Sequence, residues 1–208
     1  VMSEAGFDTQ GFVTMFGKLQ QAAGLNDSGA FPYLRSHPLS SERMADMQAR
    51  QQLQTPRAAN AAQDLVQAMM SARARVFAQP GVDALRAWSQ EAADASVATQ
   101  TPTKQVGILY GACLSWMQLR DMSQARALLP RLHLAVAKHA PAQRLVNLLE
   151  AELAFKEDDM QGVLKSLTHR SGPNQAQLQR PELILTAQAS ARLPVSYTHL
   201  RAHETKAN

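Results

Sequence analysis

Trp116-Met-Gln-Leu-Arg-Asp-Met-Ser-Gln-Ala-Arg-Ala-Leu-Leu129 lays onto Ala154-Phe-Lys-Glu-Asp-Asp-Met-Gln-Gly-Val-Leu-Lys-Ser-Leu167 without a gap, and that match decides the fold. Asp121-Met122 and Asp159-Met160 are 38 positions apart, while Ala125 with Val163 and Leu129 with Leu167 keep the same step. Each copy reads as the end of one helix, a turn built on an Asp, and a second helix. A small or apolar residue three positions after Met lets the second helix dock on the first. The pattern predicts an all-α chain of helical hairpins.

Working outward, an earlier hairpin is expected from Ala61 to Ala93. Met69, Met70, Ala72, Val76 and Phe77 fall on its first helix, and Val82, Leu85 and Trp88 on its second. Gln79-Pro-Gly81 supplies the turn between them. A later unit begins with Pro181 at its first helical position, followed by Leu183, Ile184, Ala187 and Ala191. Three pairs plus this partial one fit a right-handed solenoid, in which each unit buries its apolar face against its neighbours. The repeats resemble tetratricopeptide repeats. Their usual spacing is about 34, so the helices here would be longer by a turn.

Composition agrees with this reading. Of 208 residues 45% are hydrophobic and 18% charged, and Ala, Gln, Leu and Arg favour helix. The formal net charge is +4, or +3 without residues 194–208. Arg73, Arg75, Arg86, Arg120, Arg126, Arg131 and Arg144 are scattered with no basic run of five, which argues for solvated helix faces and against nucleic-acid binding. Cys113 is the sole cysteine, so it has no internal disulfide partner and is expected to pack between helices. Trp88, Trp116 and the pair Met69-Met70 are expected in the core, with a Met-rich peptide groove as the sharper alternative. His133, His139 and His169 lack ligand-like spacing. Glu157-Asp158-Asp159 reads as a turn cap, without the Gly and later Glu of a calcium loop. No stretch approaches the roughly 18 apolar residues of a membrane span.

The first quarter has a different character. Glu4-Ala-Gly-Phe-Asp-Thr-Gln-Gly-Phe-Val-Thr-Met-Phe-Gly-Lys-Leu19 predicts a helix stop at Gly6, a cap at Asp8 or Thr9, and a helix with Phe12, Met15, Phe16 and Leu19 on one face. Phe31-Pro-Tyr-Leu-Arg-Ser-His-Pro-Leu-Ser-Ser-Glu-Arg-Met-Ala-Asp-Met47 then places His37 in extended backbone, since Pro38 excludes the helical region for the residue before it. Ser40 or Ser41 can cap a following helix that carries Met44, Met47 and Ala45 as its apolar stripe. Gln54-Thr-Pro-Arg57 reads as a linker.

The order Ala-Gly-Phe-Asp, amphipathic helix, Gly-containing loop, Ser-His-Pro, Glu-Arg helix resembles the last third of an M48-family zinc metallopeptidase. It is most similar to the periplasmic type that carries tetratricopeptide repeats behind the protease. The resemblance covers residues 1–53 closely and about 58–193 loosely. It implies a fold of C-terminal metallopeptidase helices followed by a helical-hairpin solenoid. It also implies a periplasmic zinc metalloendopeptidase that degrades misassembled outer-membrane proteins and assists their assembly, with the repeats docking on the assembly machinery. In such enzymes zinc is held by HExxH and a later Glu, and it activates the attacking water. The chain contains no HExxH. His203-Glu204-Thr-Lys-Ala207 has Ala where the second His must stand. The expectation is therefore a C-terminal piece of the enzyme, inactive alone and binding no zinc by itself.

What the resemblance adds to the site is limited to two residues. His37 could border the metal cleft as an extra or inhibitory zinc ligand, or touch substrate; the plainer reading is a loop histidine bonded to nearby backbone. Arg43 could face the cleft and pair with a carboxylate, or be an exposed helical Arg. Val195-Ser-Tyr-Thr-His-Leu-Arg-Ala-His-Glu-Thr205 resembles an in-frame translation of a sequencing-library adapter, so residues 194–208 are expected to be non-native. The competing reading of the whole chain is a non-enzymatic helical-repeat adaptor.

Overall fold

A computed structural model of the chain describes residues 10–23, 45–50, 60–168 and 180–193, and these are helical apart from short connections. They belong to two compact units, divided between Ala59 and Asn60. The first contains α1 (Gln10–Ala23) and the helical stretch 45–50, α2. In α1 the ring of Phe12 meets that of Phe16 edge-on at 4.8 Å, and Val13 and Phe16 are buried. Met15 and Leu19, expected on the same face as Phe12 and Phe16, are exposed. The buried side is therefore rotated toward Val13, one turn before Phe16. In α2 Met47 is half-buried and Ala45 exposed, and Asp46 pairs with Arg50 at 3.1 Å on the surface. His37, Pro38, Arg43, Met44 and the linker residues 54–57 lie outside the described residues.

The second unit holds α3 (Ala61–Phe77), α4 (Val82–Glu91), a 3-10 turn (Ala95–Thr99), α5 (Pro102–Gln118), α6 (Met122–Val136), α7 (Ala140–Lys156), α8 (Met160–Thr168) and α9 (Arg180–Arg192). Local chemistry sets their starts. The Asn60 side chain accepts from Gln63 N at 3.3 Å, and Thr101 stands before Pro102 at the start of α5. Asp121 and Asp159, the two residues of the 38-step repeat, do the same work: Asp121 Oδ1 accepts from Gln124 N at 3.0 Å and Asp159 Oδ1 from Gly162 N at 2.8 Å.

The turns before those caps are also copies of one another. Arg120 and Asp158 adopt left-handed backbone, φ 64 and 62. Arg120 N donates to Met117 O and Asp121 N to Trp116 O; Asp158 N donates to Phe155 O and Asp159 N to Ala154 O. Each is a Schellman ending whose last residue serves as the cap of the next helix. Helix α6 accordingly folds back on α5, and α8 on α7.

The expected first hairpin is not made in this way. Helix α3 packs along α5 and reaches α7, and α4 also packs on α5. Small residues explain the choice. Gly107 and Gly111 of α5 face Ala68 and Ala72 of α3, so closely that an added Cβ would lie 3.4 Å from Ala68 Cβ and from Ala72 Cβ respectively. Backbones can then approach and bury the α3 stripe Leu65, Met69, Ala72 and Val76. Met69 is 0% exposed, whereas its neighbour Met70, expected in the core with it, is 45% exposed together with Phe77 and Val82. A stripe at i, i+4, i+7 and i+11 has no room for Met70, a hundred degrees round the helix. Trp88 and Trp116 pack against the core as half-buried residues.

Two apolar clusters result, and α7 belongs to both. Its Ala142, Val146, Leu149 and Leu153 join the cluster of α3, α4, α5 and α6. Its Leu148, Ala151 and Ala154 lie under Met160, Val163 and Leu167 of α8 and Leu185 and Ala189 of α9. In α9 the expected apolar face is turned outward: Glu182, Leu185 and Ala189 are buried, while Leu183 and Ile184 are 52% and 49% exposed. The cause is Arg144 of α7, which draws Glu182 inward, Nε donating to Oε1 at 2.6 Å.

Candidate docking groove

The C-terminal turns of α3, α5 and α7 and the first half of α9 enclose a groove of about 510 Å³. Leu114 and Met117 form its buried floor, Phe77 and Phe155 its aromatic walls, and Leu185 closes the far side. Its polar rim is Arg73, Glu152, Gln118 and Lys156.

Arg73 and Glu152, 79 residues apart, form a two-pronged pair, with Nη1 donating to Oε2 at 3.0 Å and Nη2 to Oε1. Nη1 also donates to the Tyr110 hydroxyl at 3.2 Å, and the guanidinium lies 5.0 Å from the centre of the Phe77 ring. Burial works against the Arg73 charge, but Glu152 and Tyr110 outweigh it and hold its pKa above the ordinary value. Tyr110 is fully buried; desolvation raises its phenol, although Arg73 pulls the other way. Below it Cys113 donates to Ala125 O at 3.4 Å, and burial, helped by the charge of Glu152, pushes the thiol up to about 12. Such a thiol stays protonated, so Cys113 is a core residue and not a nucleophile. The groove thus sets an apolar floor and two aromatic rings beside the charges of Arg73, Glu152 and Lys156.

Of the scattered arginines, Arg75, Arg86, Arg120, Arg126 and Arg131 are exposed as expected, whereas Arg73 and Arg144 are half-buried, and several of the seven bridge helices. Arg73, Arg126 and Arg144 each pair with a carboxylate on a later element, Glu152, Glu157 and Glu182. Arg131 donates to Ala92 O at 3.0 Å, and Arg75 stacks on Trp88 at 4.4 Å. Planar guanidinium groups span helix gaps that a point charge would not. Sequence alone could have found them only by matching Arg and Glu across repeats. Of the acidic turn, Glu157 pairs with Arg126, Asp158 lies 3.6 Å from Arg192, and Asp159 caps α8.

His133 Nε2 lies 3.1 Å from Glu150 Oε2 in a separate polar cleft of about 530 Å³ between α6, α7 and α8, and His139 stands at the N-terminus of α7. His37 and Arg43, the two site residues expected from sequence, lie outside the described residues, as does His169. Among the described residues no three His, Cys, Asp or Glu side chains converge as metal ligands. No described helix is long and apolar enough to cross a membrane. No family model, curated protein or solved structure matches the chain.

Proposed function

We propose that residues 60–193 are a protein-docking module and that residues 1–53 belong to an M48-type zinc metalloendopeptidase domain that the module serves. The docking half is carried by one observation: a groove with an apolar floor, two aromatic walls and a neutralised ion pair at its rim. Such a surface suits a partner polypeptide, since aromatic and Arg anchors around a desolvated centre dominate protein binding. The peptidase half is supported by the Ser36-His37-Pro38 segment and the helices around it. On that reading the protein acts in the periplasm on outer-membrane proteins and docks on their assembly machinery. His37 and Arg43 stand at the rim of the cleft.

A non-enzymatic adaptor is the second reading. It is favoured by the groove itself, since every lining residue lies between Arg73 and Leu185 in the second unit.

Two experiments separate the readings. The source reading frame ahead of Val1 should encode HExxH and a Glu-bearing helix; a frame without them leaves the adaptor. If they are present, the protein expressed with them should cleave casein in a zinc-dependent way, and His37→Ala should change the rate or its zinc dependence. No change removes His37 from the site. For docking, a photo-crosslinking residue at position 77 should capture an outer-membrane protein or an assembly component, and the same residue at exposed Leu134 on α6 should not. Equal capture from both positions would sink the groove as the docking surface.

A further inference from the structure

We infer that the polar cleft between α6, α7 and α8 is a binding site for a short peptide held by its two charged ends. The surface is separate from the groove, and the inference depends on neither reading given above. The cleft's volume of about 530 Å³ is that of a small-ligand site. Its floor is α7. That helix buries one apolar side, Ala142, Val146, Leu149 and Leu153, in the first cluster, and another, Leu148, Ala151 and Ala154, in the second. Between them runs a third stripe, Gln143, Asn147 and Glu150, half-buried and polar. Both apolar sides are already covered, so this stripe adds nothing to the packing. A polar group drawn out of water is costly unless it is hydrogen-bonded.

The charges are sorted along the cleft. Asp159 N donates to Ala154 O, so α8 starts beside the end of α7 and runs back along it. Six residues after Asp159, about 9 Å at the helical rise, Lys165 and Ser166 line the cleft toward Asn147. Among the described residues neither Asn147 nor Lys165 has a hydrogen-bond or ion-pair partner. The other end is acidic. Arg126 is bonded to Glu157, and the charges of Glu150 and Asp159 reach it as well, so one guanidinium faces three carboxylates. His133 Nε2 lies 3.1 Å from one oxygen of Glu150, and Gly162 N donates to one oxygen of Asp159 at 2.8 Å, which leaves the second oxygen of each for a ligand.

An acidic end and an ammonium end about 9 Å apart call for a ligand with the opposite charges at that separation. An extended chain spans about 3.3 to 3.6 Å per residue, so a tripeptide fits. Its N-terminal ammonium meets Glu150 and Asp159, and its C-terminal carboxylate meets Lys165 and Ser166. The Asn147 amide, donor and acceptor at once, matches a peptide unit between them.

The probe is trialanine, titrated into the full chain by calorimetry. Saturable binding is expected, and both N-acetyl-trialanine and trialanine amide should bind about tenfold more weakly. Lys165→Gln, at an exposed side chain, should make the free acid and the amide bind alike while the loss on acetylation persists. Circular dichroism should show that the variant keeps its helices. Phe77→Asp, in the groove, should leave trialanine binding intact, so that failure of the groove and failure of the cleft are told apart. Absence of binding at millimolar trialanine, equal binding of the capped peptides, or a Lys165→Gln chain that still prefers the free acid overturns the proposal. Displacement of trialanine by an equal concentration of inorganic phosphate would also overturn it, by making the cleft a plain anion site.

Discussion

The turns after α5 and α7 differ from the turn after α3 by little in sequence and by much in consequence. In the first two, three residues separate the helices, the left-handed position is followed by a residue with an N–H, and that residue is an Asp. The N–H closes the helix behind it, and the carboxylate opens the helix ahead. After α3 four residues intervene. Gln79 takes the left-handed position at φ 57, but the next residue is Pro80, which has no N–H to give, and Gly81 starts α4 with no side-chain cap. Nothing in that turn fastens α4 to α3. Each helix packs chiefly on α5, α3 against Gly107 and Gly111, and the ties between α3 and α4 come from Arg75, which meets Trp88 and Glu91. Close hairpin packing thus goes with one donor and one carboxylate in the turn, and where these are missing the two helices pack mainly on a third.

The largest test of that contrast concerns the seat of α3. Met69→Ala should cost about 3 kcal/mol in urea unfolding, because it empties a fully buried site, whereas Met70→Ala should stay within about 0.5 kcal/mol. Equal effects would mean that α3 is not held by this stripe. Next comes the tie from α3 to α7. Arg73→Ala should cost about 2 kcal/mol, below the range for a fully buried pair since both groups retain some exposure, and a double-mutant cycle with Glu152→Ala should show coupling. Additive losses would dissolve the tie.

The core of the regular hairpin is open to a pH test. Because the folded Cys113 thiol lies at about 12 against 9.0 unexposed to the fold, the unfolded chain loses that proton first as pH rises. Its contribution is whole below pH 9 and is lost between pH 9 and about 12, so the unfolding free energy should fall as pH rises through that window. Cys113→Ala should flatten the alkaline slope whatever its effect at neutral pH. Smallest are the caps themselves. Asp121→Ala and Asp159→Ala should each cost about 1 kcal/mol and add when combined. A negligible effect from both would remove the caps as the reason the two hairpins close.

How much of this was legible beforehand follows the same division. The 38-residue step located both regular turns, the capping Asp residues and the helices on either side, because turn chemistry is local and repeats in the sequence. The place of α3 was not legible, since its cause is a Gly-and-Ala seam formed between residues about forty positions apart. Gly107 and Gly111, four apart within the apolar middle of α5, were the signal available for it. The outward turn of α9 was hidden for a related reason: its apolar residues cover two sides, and an ion pair from another helix chooses which goes inward. Of the site, Phe77 was singled out as a helix-face residue, but the groove depends on tertiary pairing through Arg73 and Glu152. The readings for His37 and Arg43 rest where the sequence left them.

The bond between Arg73 and Glu152 also bears on how the chain comes off the ribosome. At roughly 5 to 20 residues per second, some 4 to 16 s pass between the synthesis of one partner and the other, 79 positions on. The α5–α6 hairpin can close during that interval, while the guanidinium still waits for its carboxylate. The nascent chain should therefore fold from its middle outward, and its need for chaperone cover should end only when α7 has left the exit tunnel.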